Sequence, residues 1–494
     1  MDLTRRDAAK LAGSALVART LKAESDSLCF LSAVELARMI RAKKVSAREV
    51  LAAHLKQIER VNPKVNAIVT LIAEQATEQA HLADEAQARG AALGPLHGLP
   101  VAHKDLQDTA GVRTTYGSRL FKDHVPVSDA IIVERQKRAG AIFVGKTNTP
   151  EFGFGSQTFN EVFGATRNPY DVTKTCGGSS GGAAVALACG MVALAGGSDM
   201  GGSLRNPAAF CNVVGLRPAP GRVPALSANA SWSPLSVQGP MARTVADVAL
   251  FLSAIAGPDP RSPISIVEPG ARFARPLDRV FKETRIAWAK DLGGIPFDPR
   301  VRRVVDAQRG VFEKLGCKID EAEPDFRDAD MIFKTLRAWL ADSNYGESIR
   351  NHPDLFKDTI HWEVDRGAKL TGQQVSRAEA KRSALYQQTR MFMEKYEYFI
   401  LPVTQVPPFD VTQPHVTEIN GVKMESYIDW MKSCWYISVV GNPAISVPCG
   451  FTPEGLPVGL QIVGRHQDEW GVLQLAHAFE LATGFGKRHP SVTD

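Results

Sequence analysis

CGGSSGGAA at residues 176–184 and GGSDMGGSLRNP at residues 196–207 are the two most distinctive stretches of this chain. Small residues let the backbone approach a ligand closely and adopt positive φ angles, so that successive N–H groups can converge on one point. Helix capping and tight turns would explain either stretch taken alone equally well. Their closeness in the sequence makes this segment the first candidate for a functional site.

Known glycine-containing motifs do not fit these stretches. GGSSG at residues 177–181 formally matches G-x-S-x-G, the nucleophile elbow of α/β-hydrolases, which requires a buried strand directly before it. Residues 168–175 are instead polar and contain Pro169, Asp171 and Lys174. Neither stretch contains a G-x-x-x-x-G-K-[ST] phosphate loop, and no G-x-G-x-x-G opens a helix. The stretches therefore predict neither an esterase elbow nor a phosphate site.

Short apolar runs alternate with helical patterns on both sides of this segment. Capping boxes at Ser32 and Ser46 each open a predicted helix, the second ending at Asn62 and Pro63, and further helices are predicted at 131–138 and 244–256. Strand-like runs lie at 99–102, 141–144, 213–216, 285–289, 398–403, 444–448 and 458–463. This alternation predicts an α/β fold with a mixed sheet covered by helices on both faces.

Composition excludes several classes of protein. Of the 494 residues, 22% are charged and 44% are hydrophobic, which is typical of a globular protein rather than a disordered or fibrous one. The net charge of +5 is too small for its length to indicate nucleic-acid binding. Seven scattered cysteines without a CxxC pair, and histidines without H-E-x-x-H, predict neither a disulfide framework nor a metal site. The uncharged run 177–198 is too rich in glycine to predict a stable membrane span.

A third element, GLPVAHKD at residues 98–105, places Lys104 at the end of an apolar run. Most lysines are solvated surface charges, so this one would mean little alone. Beside two serine- and glycine-rich stretches it becomes a candidate functional residue. His103 next to it is interpreted as structural.

Together these segments resemble the amidase signature family. The matching segments are GLPV with KD at 98–105, GKTNTPEF at 145–152, GGSSGG at 177–182, GSDMGGSLR at 197–205, PAAFC at 207–211, VGLRP at 214–218, GNPAISVP at 441–448 and GLPVGLQ at 455–461. They follow one another in order from about residue 28 to about residue 490. The resemblance implies a single large α/β domain around a mixed, twisted sheet, with residues 26–494 as the catalytic domain and a variable substrate-pocket region at about 326–440.

Residues 1–25 are interpreted as an N-terminal leader outside that domain. Arg5 and Arg6 followed by the apolar segment 11–18 resemble a twin-arginine export signal. The apolar segment is short, however, and Arg19 follows it without a clear A-x-A site, so an amphipathic helix fits equally well. The chain is accordingly expected in the cytoplasm, or in the periplasm if the leader is functional.

The resemblance also implies a Ser–Ser–Lys triad. Ser203 is the implied nucleophile, Ser179 the bridging serine held by a cis peptide, and Lys104 the base. A serine hydroxyl needs such a base to attack, and a lysine can serve only when it is neutral. Its ordinary pKa of about 10.4 must therefore be lowered, which the apolar run before Lys104 favours through burial.

The remaining implied site residues surround the nucleophile. The backbone amides of Met200, Gly201, Gly202 and Ser203 are the implied oxyanion hole. Ser180, Asp199 and Arg205 are interpreted as loop support, since an Asp–Arg pair would be poor acid–base machinery. No metal and no organic cofactor is expected.

The predicted function is hydrolysis of a carboxylic amide, and of anilides, esters or carbamates as further candidates, through an acyl-enzyme. The alternative is the amidase subunit of the glutamine-dependent tRNA amidotransferase, which usually has threonine in place of Met200 and glutamine in place of Asn206. These two residues and the leader favour the stand-alone enzyme. Its expected partner is a small-molecule amide, without nucleic acid, and a homodimer is left open.

An aromatic group in the variable region suggests the substrate. We expect Tyr427, Trp430, Trp435 and Tyr436 to line part of the acyl pocket, which predicts an aromatic or bulky apolar acyl group. Core packing would explain aromatic residues at this spacing equally well.

Overall fold

The computed structural model describes residues 28–227 and 229–494. Eleven of the strands in this part of the chain form one large sheet. The strands are β1 Ile68–Leu71, β2 Pro100–Lys104, β3 Ile142–Thr147, β4 Phe159–Asn160, β5 Gly164–Ala165, β6 Leu194–Asp199, β7 Val214–Arg217, β8 Val237–Ala242, β9 Arg285–Trp288, β10 Lys318–Glu321, β11 Tyr398–Pro402, β12 Glu418–Ile419, β13 Val422–Lys423, β14 Ala444–Phe451 and β15 Pro457–Val463. Two small two-stranded sheets, β4–β5 and β12–β13, lie apart from the large one.

Helices connect most of these strands. They are α1 Ala33–Arg41, α2 Ala47–Val65, α3 Ala73–Ala88, α4 Ile131–Arg138, α5 Gly181–Ala188, α6 Arg205–Phe210, α7 Val245–Ile255, α8 Pro299–Asp306, α9 Arg309–Lys314, α10 Ala329–Asn351, α11 Asp358–Ala368, α12 Gly372–Lys395, α13 Lys432–Val440 and α14 Glu469–Thr483. Among the described residues, no helix is both long enough and apolar enough to cross a membrane.

The large sheet is mixed and has the strand order β1-β3-β2-β6-β8-β7-β14-β15-β11-β9-β10. β2 pairs in parallel with β3 and β6, and β9 pairs in parallel with β10 and β11. Successive residues of a strand face opposite sides. On β11, Phe399 and Leu401 join one hydrophobic cluster, while Tyr398 and Ile400 join another. Helices cover both clusters, which confirms the predicted α/β fold.

The predicted elements agree with the structure in most places. All seven apolar runs lie on strands, namely β2, β3, β7, β9, β11, β14 and β15. Strand β6 was not predicted, because its LAGGSD sequence has too few large apolar side chains to show alternation. The predicted leader lies outside the described residues.

Two details of the predicted helices are corrected. The Ser46 capping box is complete, but Ser32 only caps the Glu35 amide, because the Glu35 carboxylate pairs with Arg38 instead. The predicted end of α2 at Pro63 is wrong, since the helix continues to Val65. The chain leaves it at Asn66, whose φ of 54° lies in the left-handed region.

GAIFVGKT at residues 140–147 formally matches the phosphate-loop motif, although it was not among the motifs predicted from the sequence. In the structure, its last six residues form the fully buried strand β3. Lys146 is buried within it, and its Nζ donates to Thr109 Oγ1 at 3.1 Å. A phosphate loop must expose successive amides before a helix, so this match has no phosphate-binding geometry.

Two parallel strands bring the candidate site together. β2 ends at Lys104 and β6 ends at Asp199, and the two are paired, so their carboxyl ends lie at the same edge of the sheet. Ligand sites of α/β folds commonly lie at this edge. Helix α5, which begins directly after Ser179 and Ser180, packs against β6. The three candidate segments therefore meet there.

Helix α5 can take this position because Gly182 lacks a side chain. A Cβ at Gly182 would lie 2.3 Å from the Asn148 nitrogen and 2.6 Å from the Ala67 oxygen, both backbone atoms that cannot move aside cheaply. The glycine thus allows the start of the helix to touch the end of β3.

We predict that Gly182→Ala destabilises the protein by about 1–3 kcal/mol or more, because the added methyl group forces α5 away from β3. The matched control is Gly310→Ala in α9, where nothing lies within 4 Å of an added Cβ. That substitution should be neutral or stabilise the helix by up to about 1 kcal/mol. Unfolding midpoints in urea measure both, and equal midpoints for the two variants would contradict the packing described.

Candidate active site

Lys104 lies at the centre of the candidate site. It is the last residue of β2, and its side chain is fully buried. Its Nζ is 2.7 Å from Ser179 Oγ and 3.0 Å from Ser198 Oγ. Burial lowers the pKa of Lys104 to about 7, although the negative charge of Asp199 acts in the opposite direction. Near neutral pH, a large fraction of this amine is therefore unprotonated.

Ser179 follows a cis peptide bond between Gly178 and Ser179. Hydroxyl groups hold the carbonyl of this peptide and the carbonyl of the peptide before it. Ser156 Oγ donates to the Gly178 carbonyl at 2.7 Å, and Thr158 Oγ1 donates to the Gly177 carbonyl at 2.9 Å. The loop is thus fixed with the Ser179 hydroxyl directed at the lysine.

Ser203 lies across the same site, on the loop that follows β6. The Ser180 amide donates to the Ser203 carbonyl at 3.1 Å, and the Ser198 amide contacts Ser180 Oγ at 3.4 Å. Ser180 thereby ties the two serine-rich stretches together. Ser179, Ser198 and Ser203 all line one cavity of about 290 Å³. The structure thus brings the three predicted triad residues to a single site.

Asp199 fixes the loop that carries Ser203. Arg205 binds its carboxylate through two contacts, Nε to Oδ2 at 3.0 Å and Nη2 to Oδ1 at 2.9 Å, and both side chains are fully buried. Arg217 lies 3.3 Å from the same carboxylate and also donates to the Asp199 carbonyl. Burial alone would raise the pKa of Asp199, but Arg205 and Arg217 outweigh it and hold that pKa well below its usual range. The carboxylate is therefore ionised at neutral pH.

The Asp199 carboxylate also accepts from two loop amides, Gly202 N at 2.9 Å and Leu204 N at 3.2 Å. The Gly202 amide, which the family resemblance assigned to the oxyanion hole, thus already donates to Asp199 in this structure. The amides of Met200, Gly201 and Ser203 have no protein acceptor within the described part of the chain. These three amides are therefore available to donate to a ligand.

Some residues of the site were missed by sequence reasoning, although they lie inside the matched segments. Ser198 contacts the lysine, Arg217 adds a second positive charge to Asp199, and Gln461 accepts from Arg205. Arg205 also donates to Ser438 Oγ at 2.9 Å, which connects the loop to α13. All three lie in the matched motifs, and this position was the signal that could have identified them. One sequence does not show, however, which of these residues pair with one another across the sheet.

The aromatic group predicted to line the acyl pocket lies in the core instead. Tyr427, Trp430, Trp435 and Tyr436 are buried, and none lines the cavity. Trp435, for example, stacks on Phe333 at 4.5 Å, so its face is covered. The aromatic residues that do line the cavity are Phe152, Phe154 and Tyr345.

Two other segments complete the cavity. One face of α10 contributes Arg337, Leu340, Ala341, Asn344 and Tyr345, and the connection between β7 and β8 contributes several serines. The predicted variable region 326–440 thus reaches the cavity through α10. Within residues 28–227 and 229–494, no group of three or more His, Cys, Asp or Glu side chains is placed to hold a metal ion.

Comparison with known proteins agrees with this geometry. The family model described as Amidase matches residues 49–473. An acylamidase of Rhodococcus erythropolis is 36% identical over 471 residues, which cover 94% of this chain and 98% of that protein. A glutamyl-tRNA(Gln) amidotransferase subunit of Geobacillus kaustophilus is 38% identical over 484 residues, which cover 93% of this chain and 98% of that protein.

Among solved structures, a bacterial aryl acylamidase of the amidase signature family superimposes with a TM-score of 0.87 at 27% identity, covering 94% of this chain and 98% of that one. The family match spans most of the sequence, and the fold similarity extends over the same region. The chain therefore belongs to the amidase signature family and is an amide-hydrolysing enzyme.

Proposed function

We propose that this enzyme hydrolyses a carboxylic amide through a covalent acyl-enzyme on Ser203, with Ser179 as proton relay and Lys104 as general base. The observation that carries the proposal is the 2.7 Å contact between the buried Lys104 Nζ and Ser179 Oγ, at the cavity that Ser203 also lines. Direct attack by water would instead need a metal or a carboxylate base aimed at that water.

In the acylation step, Ser203 Oγ attacks the amide carbon. Its proton passes to Ser179 Oγ, whose own proton passes to the neutral Lys104 amine. The negative charge on the substrate oxygen is then stabilised by the amides of Met200, Gly201 and Ser203. A single such donor is typically worth about 3 kcal/mol in the transition state.

Collapse of this intermediate breaks the C–N bond. The Lys104 ammonium returns its proton through Ser179 to the leaving nitrogen, so that ammonia or an amine departs. Water then attacks the acyl carbon and gives a proton through Ser179 to Lys104. Collapse breaks the C–O bond to Ser203, Lys104 returns that proton through Ser179 to Ser203 Oγ, and the carboxylic acid leaves. One residue can serve as both base and acid only when its pKa is close to the working pH, which the burial of Lys104 provides.

Charges around the cavity support a stand-alone amidase over the amidotransferase subunit. Free glutamine carries an α-carboxylate and an α-ammonium group, and burying a charge of either sign is costly unless an opposite charge pairs with it. Among the described residues that line the cavity, Arg337 alone is charged, and Glu363 already pairs with it at 2.8 Å. Phe152, Phe154 and Tyr345 form an apolar aromatic wall instead. Such a cavity suits an uncharged amide.

We predict that Ser203→Ala abolishes hydrolysis of anilides by the purified chain while leaving it folded. Lys104→Ala should be nearly as severe, and Ser179→Ala less so if water partly replaces the relay. Triad members act as one unit, so the Ser203→Ala/Lys104→Ala double variant should lose little beyond Ser203→Ala alone. Steady-state rates and circular dichroism measure activity and folding.

The matched controls are Ser383→Ala and Lys395→Ala, which lie on α12 away from the cavity and should keep the wild-type rate. Additive losses in the double variant would contradict the relay. Failure of the chain alone on every amide, with glutaminase activity only after partner subunits are added, would favour the amidotransferase subunit instead.

We further predict that a nucleophile better than water intercepts the acyl group. With hydroxylamine present, amides and esters that share one acyl group should give hydroxamate and acid in one constant ratio, because all pass through the same intermediate. Mass spectrometry of the quenched enzyme should place the acyl group on the peptide that carries Ser203. A ratio that changes with the leaving group, and no adduct on that peptide, would rule out the mechanism.

A further inference from the structure

Arg337 is a buried, charged residue in the cavity wall. It lies on α10, whose residues 337, 340, 341, 344 and 345 fall on one helix face and line the cavity. It is the charged member of that wall among the described residues, and its side chain is only 8% exposed. A buried arginine at this position needs partners for its five N–H groups.

Two of its three nitrogens have such partners on the side away from the cavity. Arg337 Nε donates to Glu363 Oε1 at 2.8 Å, and Nη2 donates to the Tyr427 hydroxyl oxygen at 2.8 Å. The Tyr427 hydroxyl in turn donates to Glu363 Oε1 at 3.0 Å. Glu363 is fully buried, so it balances the arginine charge within the protein. The guanidinium is thereby locked in place by α11 and by the segment before α13.

The third nitrogen, Nη1, is left without a comparable partner. Its contact is Met200 Sδ at 3.3 Å, and a thioether is a weak acceptor. No oxygen acceptor for Nη1 exists among residues 28–227 and 229–494. The guanidinium also lies over the Phe154 ring, 4.7 Å from its centroid, and both Phe154 and Met200 line the cavity. A strong, rigidly held donor therefore borders the space that the substrate enters.

We propose that Arg337 Nη1 donates a hydrogen bond to a second, uncharged oxygen acceptor on the substrate, and so makes Arg337 a specificity-determining residue. This inference rests on the proposed function, since it places the scissile carbonyl at the loop of Met200 and Ser203. Met200 Sδ contacts Nη1, and the Met200 amide faces the oxyanion in the proposed mechanism. The substrate oxygen that binds Nη1 therefore lies about the length of one methionine side chain from the scissile carbonyl. The favoured substrates are thus amides with a nearby carbonyl, ester or ether oxygen.

Charge balance explains why this acceptor is uncharged. Glu363 already compensates Arg337, and the second arginine near that carboxylate, Arg366 at 3.8 Å, does not line the cavity. The described lining therefore offers no other positive group to a substrate carboxylate. A second buried carboxylate would therefore remain partly uncompensated, which is costly in a partly apolar cavity. A neutral carbonyl oxygen accepts the same hydrogen bond without that cost.

The test compares two pairs of anilides that differ by one ketone oxygen. The first pair is levulinic and valeric anilide, with the ketone on the acyl side. The second is para-acetyl and para-ethyl acetanilide, with it on the amine side. For each pair, the ratio of kcat/KM with and without the ketone is measured in the wild type and in Arg337→Met/Glu363→Gln. That double variant removes the buried donor together with the carboxylate that compensates it. Arg366, whose Nη1 lies 3.8 Å from the Glu363 carboxylate, is 36% exposed and remains solvated.

For at least one pair, the ratio should fall about 10- to 100-fold in the double variant, the usual size for a hydrogen bond from a charged donor. Tyr427→Phe is the matched control, because it removes a partner of Nη2 but leaves Nη1 in place, and its ratio should stay within about threefold of the wild type. If the double variant does not fold, Arg337→Lys keeps the positive charge but lacks the forked donor, and it should show the same fall.

Unchanged ratios for both pairs in a folded Arg337 variant would overturn the inference, as would a clear preference for succinic monoanilide, whose second acceptor is a carboxylate. For the same pairs, the ratio of Kd values is also measured by calorimetry, with Ser203→Ala added to each protein so that no anilide is hydrolysed. A wild type that hydrolyses none of these anilides would count against the proposed function, whereas the Kd ratios would still decide the role of Arg337.

Discussion

Burial of the Lys104 amine is the constraint on which the rest of the site depends. Lowering the pKa of a lysine from about 10.5 to about 7 corresponds to a destabilised ammonium on the order of 5 kcal/mol. The fold achieves this by placing Lys104 at the end of a central strand, beneath α5 and away from water. Two serine hydroxyls then satisfy the amine without adding a negative charge that would restore its usual pKa.

Asp199 has the complementary role at the end of the neighbouring strand. Its carboxylate engages Arg205, Arg217 and the Gly202 amide, and Arg205 extends the network to α13 and β15. Buried ion pairs are seldom net stabilising, but they strongly favour one geometry over its alternatives. Here the geometry is that of the loop bearing Ser203. Two adjacent strand ends therefore carry a lysine of lowered pKa and an aspartate anchor that stays charged at neutral pH.

Much of this could be inferred from one sequence, for identifiable reasons. Apolar runs marked most strands of the sheet. The family resemblance located Lys104, Ser179 and Ser203, because few residues other than glycine and serine fit where the backbone and hydroxyl groups converge. Strand β6 was missed, since small residues show no alternation. The aromatic residues near Trp435 were assigned to the pocket wrongly, because the Phe333 ring that covers Trp435 lies about a hundred residues away in the sequence. Arg217 and Gln461 acquire their roles only through pairing across the sheet.

The most direct measurement of the central claim is the titration of Lys104 itself. NMR of protein labelled with ¹⁵N-lysine, with the Lys104 signal assigned by its loss in Lys104→Arg, gives the pKa of this amine without reference to any substrate. We expect a midpoint of about 7, far below the ordinary lysine value, because burial disfavours the ammonium form. A midpoint near 10.4 would mean that Lys104 is charged at neutral pH and cannot be the base that activates Ser203.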